Sequence, residues 1–304
     1  MVFSPRTVKP QTSIGINLKI VILMIISTPT LTISDLLKGD IKLASPPTVY
    51  LALKKVVDNP RTTARDAAFV IESDAALALR LLKIVNSAFY GFPSKISSIT
   101  TAITLIGVRE LQNLTLATTV IERFSDLPGQ LFSIHDFWSK NLRCALFAKQ
   151  LDVLMGKKYA DTAFLCGLIH NIGQLVMYRR IPVLAREVDL LTQARMPTEV
   201  DAAYIEQQVI GFDHFQLGAE LCRCWKLPEV VVESIRLELF PDHVGNYADI
   251  ATIVRIANHF SKLDTPHDAI VANGFELLPE QISEILDKTH DEFETIFKLF
   301  FPAK

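Results

Sequence analysis

One stretch of this 304-residue chain carries residues that could do chemistry in company. Phe164–Met177 reads F-L-C-G-L-I-H-N-I-G-Q-L-V-M, almost wholly apolar, with His170 and Asn171 side by side in its middle. An imidazole can ligate a metal or move a proton, and an amide beside it can orient a bound group. On a helix, neighbours lie about 100° apart, so both side chains can face one shared cleft. Gly173 removes a side chain two residues later and lets another helix approach closely. The alternative is a buried helix whose histidine and amide are satisfied by nearby backbone, the commoner arrangement for these residue types. The four cysteines, Cys144, Cys166, Cys222 and Cys224, form no C-x-x-C pair. Cys222 and Cys224 stand at i and i+2 of a helical pattern and so point to different faces. All four read as reduced core thiols of a cytosolic protein. No Gly-rich phosphate loop, nucleophile elbow or kinase set occurs.

Composition bounds what must position these residues. A content of 49% hydrophobic and 21% charged residues is enough for a large core. The net charge of −2 provides no basic field, so no nucleic-acid partner is expected. Ile20–Ile26 is an apolar run with Arg6, Lys9 and Lys19 around it. It is far shorter than the roughly 20 residues of a membrane helix, so no stable span is expected. It fits a poor export signal, a membrane-touching tail, or translated sequence upstream of a start at Met24, and the last is favoured. Residues 1–33 are therefore set apart as an extension that is loosely packed or not native.

From Ser34 onward the pattern is helical almost throughout. Helices are predicted at Val49–Val57, Ala64–Glu72 behind a Thr63/Asp66 capping box, and from Ser73 or Asp74 through Val85. Thr100–Ile106 follows, ended by Gly107 as a left-handed cap, then Arg109–Phe124. Asp126–Gly129 reads as the connection between two lobes, placing 34–127 in the first and 128–304 in the second. Beyond it, helices are predicted at Phe137–Leu154, through the central stretch, at Pro182–Gln193, Thr198–Gln208, His214–Trp225, Pro228–Leu239 and Asn246–Phe260. Pro279–Phe300 offers apolar residues for two short amphipathic helices. No sustained alternating strand pattern appears. Asn86 and Ser87 read as C-terminal capping groups. Tyr90 and Phe92 read as core or lobe-interface aromatics, and Trp138 and Trp225 as packing residues. Lys157-Lys158 and Arg179-Arg180 read as solvated helix ends, and also as the place where an anion would bind.

Several of these runs together resemble one family. Leu81–Gly91 (L-L-K-I-V-N-S-A-F-Y-G), Ile96–Ile99 and Ala102–Gly107 resemble the N-terminal lobe of HDOD domains, the HD-related output domains. Phe137-Trp138, the L-I-H-N-I-G stretch with Gly173, and Gly218–Pro228 with Trp225 resemble the rest. The resemblance covers roughly Leu36 to Phe260. It implies an all-helical, two-lobe bacterial signalling domain derived from HD-type metal phosphohydrolases. It also implies work with two-component or cyclic-di-nucleotide signalling proteins on other chains.

Active HD enzymes, the resemblance implies, hold a metal with a histidine, a His-Asp pair and a distant aspartate. Here Lys140 takes the first histidine's place, His170-Asn171 the pair's, and Asn258 the last aspartate's. His214 keeps a further histidine position, and Glu238-Leu239 replaces a His-His pair. Lys140 would repel a metal ion, and neutral Asn171 and Asn258 cannot balance its charge. A chance His170/His214/Glu238 metal site and a Lys140–Glu238 ion pair are the alternatives for this cleft. The expectation is a non-catalytic, cytoplasmic signalling or scaffold domain with no metal and no cofactor, acting through a protein partner under control of a small ligand. A metal-dependent phosphohydrolase with atypical ligands and a nucleotide sensor without turnover are the competing readings.

Overall fold

A computed structural model shows how the chain folds. It describes residues 31–38, 40, 43, 45–127, 132–156, 158–159, 162–193, 199–262, 270–272 and 275–301. The apolar run at 20–26, the Met24 start and the core of the lobe connection at 128–131 lie outside them. Thr32–Lys304 forms one compact unit. The fold is all-α; the strands among the described residues are β1 (Ile270–Ala272) and β2 (Phe275–Leu277), a short antiparallel pair.

The N-terminal helices are α2 (Thr48–Val57), α3 (Ala64–Glu72), α4 (Ala75–Val85), α5 (Ile99–Ile106) and α6 (Val108–Arg123); α1 (Ile33–Leu37) precedes them. Local sequence sets the helix starts. Thr63 accepts from Asp66 N–H while Asp66 accepts from Thr63 N–H, a reciprocal capping box. Asp74 caps α4 through Leu77 N–H. Leu77, Leu81, Ile84 and Val85 then bury one stripe of that helix.

The C-terminal helices are organised on α7 (Ile134–Leu154), which packs against α8 (Ala163–Ile169), α14 (Ala248–Phe260) and α15 (Pro279–Phe300). Around these lie α9 (Ile172–Arg180), α10 (Pro182–Gln193), α11 (Glu199–Val209), α12 (His214–Cys224) and α13 (Glu229–Arg236). The two sets of helices meet where α6 lies on α8 and α15 reaches α4. There the Tyr90 hydroxyl donates to Glu110 at 2.7 Å, and Lys149 on α7 sits 3.6 Å from the same carboxylate. The Lys149 ammonium also stands 3.7 Å from the centre of the Phe89 ring.

Five local expectations are corrected. The central stretch is not one helix: α8 stops at Ile169, and α9 starts at Ile172 after Asn171 swings to φ −96°, ψ 14°. Its two halves rest on different helices. A Cβ on Gly167 would lie 2.8 Å from Ala145 Cα on α7, and one on Gly173 would lie 1.9 Å from the His214 carbonyl oxygen on α12. Gly107 has φ 85° but ψ 153°, outside the left-handed helical region. It ends α5 and also opens α6, and a helix-starting residue needs an extended ψ. The tail is a single helix, because nothing between Pro279 and Phe300 breaks it and its apolar residues form one stripe. Cys224 is exposed, since it follows Cys222 by two positions and faces the other way; the other three cysteines are buried. Arg179 and Arg180 are tied down. Arg179 pairs with Asp40 at 2.7 Å and Asp126 at 3.0 Å, and Arg180 donates to the Lys38 carbonyl. These contacts hold the segment around α1 against α9.

Candidate functional site

The break between α8 and α9 presents His170 and Asn171 at a corner. His170 is 1% exposed, and its Nδ1 lies 2.8 Å from the Gly167 carbonyl. A carbonyl only accepts, so Nδ1 carries the proton and Nε2 is the basic nitrogen. The close crossing at Gly173 sets α12 beside this corner and brings His214 with it. Asp213 caps α12 in a reciprocal pair with Gln216. His214 is fully buried, and its Nδ1 and backbone N–H both lie 2.7 Å from Oε2 of Glu206 on α11. Glu206 is itself 4% exposed. The imidazole thus donates to an interior carboxylate, a charge-assisted bond of the stronger kind.

A cleft of about 430 Å³ opens beside this core. Lys140, Asn141, Asn171 and Gln174 line it, with Phe132, Tyr178 and Asp189 across from them and Lys262 at its edge. Of the six positions singled out by resemblance, Lys140 and Asn171 reach this cleft. Lys140 is exposed at its mouth near Asp136 and makes no ion pair with Glu238. His170, His214, Glu238 and Asn258 are buried and do not line it. Glu238 is near Arg255, whose guanidinium donates to the Glu238 backbone carbonyl. Asn258 lies in the last turn of α14, four residues before Lys262.

The cleft also holds a displaced acid. Tyr178 donates its hydroxyl to Asp189. Burial pushes the Asp189 carboxyl up to about 6, and the nearby Glu206 charge adds to the rise. Composition and motif spacing gave no notice of Asp189, Glu206 or the amide Asn141. Glu206 did carry a signal: Ala203, Glu206 and Ile210 stand at i, i+3 and i+7, so an acid sits on the buried face of its helix.

The donor set does not fit a metal. HD-type chemistry needs neutral imidazoles and anionic carboxylates converging on one point. Two of the places hold amides and a third holds an ammonium. Among the described residues no three His, Cys, Asp or Glu side chains are grouped so as to hold a metal ion.

The remaining motif residues serve the frame. Asn86 donates to the carbonyls of Leu82 and Ile96, both at 2.8 Å, and accepts from Ile96 N–H at 2.7 Å. It therefore clips a distant loop to the end of α4 as well as capping that helix. Ser87 donates to the Ile84 carbonyl, and Gly91 takes φ 62° at the following turn. Trp138 and Trp225 are buried, and Trp225 Nε1 donates to the Leu43 carbonyl at 2.8 Å.

Comparison with known proteins agrees with this architecture. The HDOD domain family model matches residues 43–239. An uncharacterized protein of Treponema pallidum (strain Nichols) is 28% identical over 262 residues, covering 83% of this chain and 49% of its own length. The chain thus spans about half the length of the curated relative it matches. A solved HDOD domain protein of unknown function from Geobacter sulfurreducens superposes with a TM-score of 0.69 at 20% identity, over 85% of this chain and 93% of that one. A proposed phosphohydrolase from Shewanella amazonensis SB2B gives the same score at 22% identity, over 86% and 99%. A proposed signal transduction protein from Marinobacter aquaeolei VT8 gives 0.62 at 20% identity, over 84% of this chain and 59% of its own. At these identities the likeness is one of fold. Among the described residues no helix is long and apolar enough to cross a membrane.

Proposed function

The chain belongs to the HDOD family, and we propose that it is a non-catalytic signalling output domain that acts by binding a signalling protein on another chain. One observation carries this reading. The two former ligand positions that reach the cleft hold Lys140 and Asn171, an ammonium and a neutral amide, where a histidine and an aspartate would be needed. Such a pair can hold and orient a partner or a small ligand, but at these two positions it lacks the imidazole and the anionic charge that would keep a divalent ion and generate hydroxide. The family match and the signal transduction protein among the solved neighbours support the same class.

The test is metal analysis of protein purified without chelator, run beside a hydrolysis screen on phosphomonoesters, phosphodiesters and cyclic nucleotides with manganese, iron and magnesium. The expected result is sub-stoichiometric metal and background turnover. Activity that follows metal occupancy and disappears in His170→Ala overturns the reading. A second arm restores Lys140→His, Asn171→Asp and Asn258→Asp together. Metal affinity should rise in that triple variant, because each change returns a ligand of the right charge. Unchanged affinity would mean that the groups behind those positions, Glu206 among them, no longer orient ligands for a metal.

A further inference from the structure

A second cleft, of about 390 Å³, lies between the start of α6 and the segment ahead of α8, away from the Lys140 and Asn171 cleft. Its volume falls in the ~300–1,000 Å³ range of small-molecule sites. Two polar side chains more than nine-tenths buried line it, Gln112 at 8% exposure and Tyr50 at 2%. Among the described residues neither side chain has a hydrogen-bond partner. Their polar ends are not sealed away from solvent, so a group bound in the cleft can reach an amide and a phenol that no bond within the described fold occupies.

The rim is cationic. Lys54, Arg109 and Lys158 line the cleft, against Asp58 as its acid. Lys54 is paired with Asp58 at 2.7 Å, and Lys158 reaches out to Asp249. Arg109 is exposed and, among the described residues, makes no ion pair. It sits in the first turn of α6, whose N-cap Gly107 supplies no side-chain bond, so the positive end of a 16-residue helix adds to the guanidinium. Tyr159 offers a ring face beside Lys158.

We propose that this cleft binds a phosphate-bearing small molecule of mononucleotide size, its phosphate on Arg109 and Lys158 and its polar body against Gln112 and Tyr50. A guanidinium fork matches phosphate oxygens, the amide and phenol supply both donors and acceptors, and the ring supplies a stacking surface. The site stands apart from the signalling role proposed for the other cleft, and its test does not depend on that role.

Isothermal titration calorimetry of the full chain at low salt, with adenosine 5′-monophosphate, inorganic pyrophosphate and adenosine as probes, decides the matter. Saturable binding of the monophosphate is expected, with adenosine far weaker. Arg109→Ala should weaken the monophosphate about tenfold, the effect of one lost charge-assisted bond. Gln112→Leu should weaken it several-fold while leaving the melting temperature unchanged or higher, because that amide serves no bond within the fold. Lys262→Ala, in the other cleft, should bind as the parent does. Pyrophosphate binding that Arg109→Ala abolishes, with no preference for the monophosphate over pyrophosphate, would overturn the mononucleotide size and the roles of Gln112 and Tyr50. No saturable binding of any probe, or equal affinity in the parent and Arg109→Ala, would overturn the site altogether.

Discussion

At the scale of single residues, the interior acids are the feature with the clearest solution consequence. Asp189 is raised to about 6 chiefly by burial, with Glu206 adding to it, and it accepts from Tyr178. Its folded-state value lies above the unfolded one, so between about pH 4 and 6 the native state holds the extra proton. Stability contributed by that proton is present at the acid end of the window and is lost as pH rises through 6. Asp189→Asn keeps the acceptor for Tyr178 and removes the ionisation. The variant should match the parent's melting temperature near pH 4, exceed it increasingly between about pH 4 and 6, and keep a constant advantage above that. A thermal scan across pH with a constant difference between the two proteins would show that Asp189 does not carry the shift. The motif residues, by contrast, act through ordinary bonds: Asn86 is a bracket between Leu82 and Ile96.

At the scale of elements, the decisive contact is a glycine crossing. A methyl on Gly173 would sit 1.9 Å from the His214 carbonyl oxygen, and that neighbour is backbone, which cannot rotate aside. Gly173→Ala must therefore move α9 away from α12. The expected loss is about 3 kcal/mol or more, at the upper end for overpacked cores, read from chemical denaturation. Gly218 on α12 faces the same crossing, where an added Cβ would lie 3.1 Å from Gly173 N and 3.3 Å from the Ile172 side chain. Gly218→Ala should therefore cost less. Equal losses at the two sites would mean that the crossing is softer than its geometry implies. Movement of α9 would also shift Asn171 and Gln174, so the crossing sets the shape of the cleft.

At the scale of the whole molecule, the N-terminal and C-terminal helices are joined by a polar knot as well as by apolar packing. Glu110 on α6 accepts from the Tyr90 hydroxyl and lies 3.6 Å from the Lys149 ammonium on α7. Burial pulls the Lys149 ammonium below its usual pKa, while Glu110 pushes it back up. Glu110→Gln leaves that cation with Glu292 as its remaining acid and should cost about 2 kcal/mol, less than breaking a fully buried pair because Lys149 keeps that charge and some solvent. Adding Lys149→Met removes the stranded charge and should recover a large part of the loss. A double-mutant cycle with no coupling would show that the junction is held by Phe89, Phe164 and Phe300 instead.

The helices, their caps and the glycine that lets α9 approach α12 were legible in the sequence, because each depends on spacing along a few turns. Thr63 with Asp66, the Leu77-to-Val85 stripe and the 182–193 helix are local patterns with local causes. The cleft positions were legible only through family resemblance, and that placed Lys140 and Asn171 at a cleft without showing what surrounds them. The break at His170, the unbroken tail helix and the anchoring of Arg179 to Asp40 and Asp126 were decided by tertiary contact. So were the Glu206–His214 pair and the displaced Asp189. The physical reason is the same in each case. Periodicity says which face of a helix is buried, but the partner that a buried polar group meets comes from another helix, and a carboxylate's pKa depends on the charges and solvent that the fold assembles around it.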